Sequence, residues 1–162
     1  TAVGSYPNES VEMMNKIIEK VENDPLYFNI NEVRHVKAEK TAEDAITESA
    51  KYVARIVSAK AVVTYTTSGS TALRAARERP DVPILSISPN LDTARRLALV
   101  WGVHCVHTKD AKNFKDMVLK AGRLAKKEKF AKKGDRVIIT AGVPFGHSGA
   151  TNVLRIASVD RY

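Results

Sequence analysis

Apolar residues recur at three- and four-residue spacing between Asn8 and Asn23, at Val11, Met14, Ile17, Ile18 and Val21. That period predicts an amphipathic helix over residues 8–23, with Pro7 where a helix start tolerates it. Residues 24–40 show no steady period and read as a connecting segment. A second helix is predicted over 42–59. Thr41 stands at its cap, Asp44 follows three residues on, and Ile46, Ala50, Val53 and Val57 form its apolar stripe. Beyond Lys60 the pattern changes. Short apolar runs of strand type, at 61–65, 83–88, 103–107, 136–141 and 153–159, alternate with helical periods at 70–79, 92–101 and 113–127. This alternation predicts an α/β fold, a three-layer sandwich with a mostly parallel five-stranded sheet and helices on both faces. The last two runs are joined by residues 142–152 with no helix between them. That is short for a parallel crossover, so the final strand is expected to be antiparallel.

Composition alters this picture little. The 162 residues are 44% hydrophobic and 27% charged, ordinary for a soluble domain with a core of its own. No apolar run is long enough to span a bilayer, so no membrane association is expected. The first residues, TAVGSYPNES, show no secretory pattern. The absence of an initial methionine fits a piece of something longer. One cysteine, Cys105, allows no intrachain disulfide and fits a reducing, cytoplasmic setting. The net charge of +8 favours an anionic partner. Lys120, Arg123, Lys126, Lys127, Lys129, Lys132 and Lys133 crowd one stretch, offset only by Glu128. They read as a solvated helix face and loop. Apart from Phe130 the stretch lacks aromatics on which bases stack, and nucleic acid is not an expected partner.

The candidate chemistry lies at the first strand-to-helix corner. AVVTYTTSGSTALRAARERP, residues 61–80, passes from an apolar run into Thr66, Thr67, Ser68, Gly69, Ser70 and Thr71 and then into a helical period. In open α/β sheets ligands sit beyond the carboxyl ends of strands. A helix start there offers free N–H groups and about half a positive charge. Gly69 lets the backbone approach a ligand or adopt positive φ, and the hydroxyls add donors. Ser and Thr are equally favoured as caps and turn formers, so residue type leaves both readings open. The corner is neither a P-loop nor a dinucleotide fingerprint, since G-x-x-x-x-G-K-[ST] and G-x-G-x-x-G are absent.

The second candidate is GVPFGHSGATN, residues 142–152. His147-Ser148 invites a nucleophile reading, but G-x-S-x-G fails because Gly149 directly follows Ser148. A loop closing over a ligand held at the first corner fits better. His104 and His107 fall on opposite faces of a strand and so make no metal pair. His35 has no evident partner, and Trp101 at a helix end reads as core.

Three stretches resemble pyruvate kinase. TAVGSYPNESVEMM resembles that family's ETA-x-GKYP-x-EAV-x-MM. TTSGSTALRAARERPDVPILSISPN resembles TxSGxTAxxxxxxRPxxPIxAxxxN. ITAGVPFGHSGATNVLRI resembles TAGxPxGxxGxTNxxRI of bacterial members. They are co-linear and extend from Thr1 to the last strand. The resemblance implies phosphoryl transfer from phosphoenolpyruvate to ADP with Mg²⁺ and K⁺, all held in a barrel upstream of Thr1, so that no catalytic residue and no cofactor belongs to this chain. Residues 1–24 would be the last barrel helix and 25–162 the C-terminal, effector-binding domain. By position, Thr66, Thr67, Ser68, Gly69, Ser70 and Thr71 would hold an effector phosphate. Pro144, Gly146, His147, Ser148 and Gly149 would fold over it. Members activated by fructose 1,6-bisphosphate often hold its second phosphate with a Trp and an Arg. The corresponding HTKDAKNFKD has neither, only Lys109, Lys112 and Lys115. The resemblance therefore favours a monophosphate effector, a sugar monophosphate or AMP, in a homotetramer whose C-terminal domains form one interface. A freestanding phosphate-binding module and a basic nucleic-acid-binding domain are the other readings.

Overall fold

The computed structural model describes residues 1, 3–27, 38–144 and 151–160. The chain divides into two compact units, Thr1–Val36 and Lys37–Tyr162.

The first unit carries α1, Pro7–Glu22, with proline in its first turn. None of its residues is buried. The stripe Val11, Met14, Ile17, Ile18 and Val21 is about half exposed throughout, from 46% to 57%.

The second unit opens with α2, Ala42–Ile56. Thr41 Oγ1 accepts the Asp44 amide at 3.3 Å, as the cap signature predicts. The Asp44 carboxylate turns back not to Thr41 but to the Glu39 amide, at 2.8 Å. α2 ends earlier than expected because Ser58 takes a left-handed φ of 52°. Its amide then bonds to Arg55 and that of Ala59 to Ala54, which closes the helix in a Schellman turn. The buried face is Asp44, Thr47, Ala50, Lys51 and Ala54. Val53 and Val57 sit at its margin, because the alanines permit the closest approach to the sheet.

There follow β1 (Val62–Tyr65), α3 (Ser70–Arg77), β2 (Ile84–Ser88), α4 (Leu91–Leu97), β3 (Val103–His107), α5 (Phe114–Lys127), β4 (Arg136–Ala141) and β5 (Val153–Ser158). Every predicted strand and helix is present; β3 and β4 keep their predicted bounds, α4 starts one residue early and ends four residues short, and the others lose one to three residues at an end. α3 stops at Arg77 because Arg79 is left-handed, with φ 50°, and Pro80 follows without an N–H to donate. The sheet order is β3-β2-β1-β4-β5. The first four strands are parallel and β5 runs antiparallel to β4, from Arg136 opposite Ser158 to Ala141 opposite Val153.

Alternation divides the sheet's residues between two faces. Val63, Tyr65, Leu85, Ile87, Val137 and Ile139 pack under α5 against Met117, Ala121, Leu124 and Ala125. On the other face Val62 and Ile138 meet Ala50 and Ala54 of α2, and Ile84 meets Ala75 and Ala76 of α3. α4 lies over β2 and β3. The three layers are thus α2–α3–α4, sheet, and α5.

Trp101 is not core. α4 ends at Leu97, and the indole lies half-buried beyond it with the Arg79 guanidinium 4.1 Å over its ring.

This strand order locates the site. From β1 the chain winds outward to β2 and β3, then crosses beneath the sheet in α5 to place β4 on the other side of β1. The connections leaving the carboxyl ends of β1 and β4 therefore diverge, and that divergence is where open α/β sheets take ligands. Residues 66–71 leave one end and residues 142–152 the other.

Candidate functional site

The corner begins where β1 ends. Gly69 caps α3 at φ 99°, ψ −10°, a left-handed conformation that costs other residues about 1–2 kcal/mol. A Cβ there would meet only side chains, Thr93 Cγ2 at 3.4 Å and Leu97 Cδ2 at 3.5 Å, so the penalty is one of backbone. Gly69→Ala is expected to lower folding stability by about 1–2 kcal/mol, read from the urea midpoint at unchanged slope.

The five hydroxyl side chains differ in what they face. Thr66 is buried, and its Oγ1 accepts the Gly69 amide at 2.9 Å, so it builds the turn. Thr71 is buried and its Oγ1 lies 2.7 Å from Thr151 Oγ1. Thr67 and Ser68 are exposed and Ser70 is half-buried. Ser68 Oγ donates to Ser70 Oγ at 3.2 Å and accepts the Ser70 amide at a long 3.4 Å. Among the described backbone hydrogen bonds, none is donated by the Thr71 or Ala72 amide. The first turn of α3 thus leaves two amides without a described backbone acceptor, next in sequence to the solvent-exposed Thr67 and Ser68 and the half-buried Ser70.

α4 supports this corner from the side. Asn90 caps α4 by accepting the Asp92 and Thr93 amides. Thr93 Oγ1 donates to the Thr67 carbonyl at 3.0 Å, and Arg96 Nη2 lies 3.5 Å from the Ser68 carbonyl and 3.4 Å from Thr93 Oγ1. Below, Thr64 Oγ1 and Ser86 Oγ pair at 2.7 Å. Thr140, beside Thr64 in register, is fully buried, and its Oγ1 has no partner among the described residues.

The second candidate loop is described only at its base. Pro144 is exposed and follows a cis peptide bond from Val143. Gly146, His147, Ser148 and Gly149 lie outside the described residues, as does His35. Asn152 closes the base by accepting the Val143 amide at 2.9 Å and donating to its carbonyl at 2.6 Å. The Thr71–Thr151 bond then joins the corner to this base across 80 residues of sequence. Thr93 and Arg96 escaped the sequence reading, whereas Thr151 and Asn152 lie inside the 142–152 stretch that it singled out without giving either a role.

The remaining candidates sit elsewhere. His104 Nε2 is 3.1 Å from Glu128 Oε2, with its ring edge-on to Phe130. Burial pushes the Cys105 thiol up, away from the reactive thiolate. The Tyr65 hydroxyl donates to the Met117 carbonyl at 2.8 Å; burial, then the nearby Asp116 and Asp110 carboxylates, holds it protonated. Lys109 and Lys112 are exposed in the β3–α5 connection and Lys115 in the first turn of α5, while Lys120 is spent on the Lys109 and Asp110 carbonyls. Among the described residues no group of three or more His, Cys, Asp or Glu is placed to hold a metal. No helix among them is long and apolar enough to cross a membrane.

Known proteins match this architecture. The family described as pyruvate kinase, alpha/beta domain, matches residues 44–157. A pyruvate kinase from Methylorubrum extorquens is 47% identical over 161 residues, covering 99% of this chain and 34% of its own length. One from Geobacillus stearothermophilus is 36% identical, covering 96% of this chain and 27% of its own length. The chain therefore spans about a third or less of these curated relatives. A crystal structure of a pyruvate kinase from Cryptosporidium parvum superposes with a TM-score of 0.83 at 26% identity, over 96% of this chain and 31% of that one. A five-stranded sheet with this topology, matched across nearly the whole chain by such relatives, makes the protein a member of the pyruvate kinase family, with residues 44–157 as its α/β domain.

Proposed function

We propose that this chain is the regulatory part of a pyruvate kinase that transfers phosphate from phosphoenolpyruvate to ADP, and that it binds a phosphorylated small-molecule effector at the 66–71 corner. The observation that carries the proposal is the left-handed Gly69 opening α3 at the β1/β4 switch point, flanked by exposed hydroxyl residues and by amides without a described backbone acceptor. A phosphate held there gains several charge-assisted hydrogen bonds, each worth about 1.5–3 kcal/mol. The connection at 107–116 offers lysines but neither Trp nor Arg, which supports a sugar monophosphate or AMP over fructose 1,6-bisphosphate.

Catalysis belongs, in this reading, to parts of the enzyme outside this chain. In the same reading Mg²⁺ and K⁺ belong to the barrel, and neither is assigned to this chain. The half-exposed apolar stripe of α1 supports its role as the last helix of the catalytic barrel. The edge strand β5, with Ile156 43% exposed, and the exposed Tyr52 and Ile56 of α2 support self-association in a tetramer.

The test is a thermal-shift series on the chain with glucose 6-phosphate, AMP and fructose 1,6-bisphosphate. A ligand at one hundred times its Kd stabilises the native state by about 2.7 kcal/mol, a shift of several degrees for a domain this size. One of the monophosphates is expected to give it. No shift with any of the three would overturn the effector role.

A further inference from the structure

We infer that Arg96 is the cationic group of this site and that it selects doubly charged phosphate monoesters over singly charged esters. The inference rests on the effector reading above and adds a residue and a ligand charge to it.

Residue type alone directs the search for a second charge to Lys109, Lys112 and Lys115. The hydrogen bonds point instead to α4. Of the cationic side chains, Arg96 is the one whose described bonds end on the corner. Its grip there is loose. Nη2 stands 3.5 Å from the Ser68 carbonyl and 3.4 Å from Thr93 Oγ1, at the long limit where hydrogen bonds are weak. Both acceptors are neutral. Neighbouring Arg95 is paired with Asp92, whereas no carboxylate among the described residues pairs with Arg96. An exposed guanidinium with spare N–H groups therefore lies at the Ser68 carbonyl, one residue ahead of the Gly69 cap of α3.

Charge decides what fits. A helix start contributes about half a positive charge, and Arg96 adds one. That sum suits a phosphate monoester, which carries about two negative charges above its second pKa near 6. A sulfate ester of the same shape carries one. The planar guanidinium also suits two-point binding of phosphate oxygens. Arg96 needs only a small swing away from two weak acceptors to make it.

The experiment is calorimetric titration of the chain with glucose 6-phosphate and glucose 6-sulfate at pH 8 and low salt, in wild type, Arg96→Gln and Arg96→Lys. Wild type is expected to prefer the phosphate by about tenfold or more, the worth of one charge-assisted contact. Arg96→Gln should bind phosphate about tenfold more weakly and keep only the small preference the helix start supplies, with its ligand-free melting temperature unchanged. Arg96→Lys should keep a preference for phosphate with weaker binding. A preference that survives undiminished in Arg96→Gln, or is missing in wild type, overturns the role of Arg96 alone. Wild type binding neither of these esters nor AMP overturns the effector reading itself.

Discussion

Replacing Asp44 by alanine is expected to lower folding stability by about 3 kcal/mol. The Asp44 side chain is 1% exposed and accepts three donors: the Glu39 amide at 2.8 Å, Arg74 Nε at 2.9 Å and Arg77 Nη2 at 2.8 Å. Arg77 also grips Glu78, equally buried, at 2.9–3.0 Å. Removing the carboxylate leaves an amide and two guanidiniums short of an acceptor. Both arginines keep about 30% of their surface in water, which holds the loss below what a fully buried orphan charge would give. Arg77 retains Glu78. Urea unfolding of the variant measures the loss; a change under 1 kcal/mol would mean that the cluster is no more than a surface ion pair.

The same cluster gives stability a pH dependence of known sign. Burial pushes the Asp44 carboxyl up, but the Glu39 amide and the two guanidiniums outweigh it and leave its pKa below the ordinary value. A carboxyl depressed on folding stabilises the native state fully above its unfolded value, about pH 4. That contribution is lost as pH falls through the lower folded value. Between pH 7 and pH 3 the wild type should therefore lose more stability than Asp44→Ala, and the two curves should converge in acid. Parallel curves would show that the carboxyl is not depressed.

Ser68→Asp is expected to abolish effector binding while leaving the domain folded. Ser68 is exposed, and its Oγ already accepts the Ser70 amide. An aspartate there can reach the same amide and place a fixed negative charge at the corner where a phosphate would sit. Two like charges about 4 Å apart repel by about 4 kcal/mol at an effective dielectric constant of 20, a loss of more than about a hundredfold in affinity. A carboxylate near a helix start is mildly stabilising, so the ligand-free melting temperature should hold or rise. Glucose 6-phosphate binding equally well to both proteins would put the effector somewhere else.

The elements and their order were legible along the chain. The 3.6-residue period located the helices and short apolar runs located all five strands, because the helices bury one face whereas β1, β2 and nearly all of β4 are buried on both. The antiparallel turn of β5 followed from a connection too short to cross the sheet. Helix ends were less legible. Ser58 and Arg79 gave no left-handed signal, since neither is Gly or Asn, and their conformations come from the Schellman bond at Ala59 and the proline at 80. The rotation of α2 was missed as well: a buried Asp44 counts as polar in any periodicity, and only its arginines make burial tolerable.

For the site, the sequence by itself determined that hydroxyls and a glycine meet at the end of β1 and open a helix. Those are local facts, fixed by neighbours in the chain. Only the tertiary structure decided how the hydroxyls are used. Thr66 turns inward to hold Gly69, Thr71 reaches Thr151, and Thr67, Ser68 and Ser70 are left toward water. It also brought Arg96 to Ser68 and Asp44 to Arg74 and Arg77, across 28, 30 and 33 residues. The physical reason lies in the crossover beneath the sheet. It sets β4 beside β1 and so fixes which distant side chains meet, and a repeat of two or 3.6 residues holds no record of that.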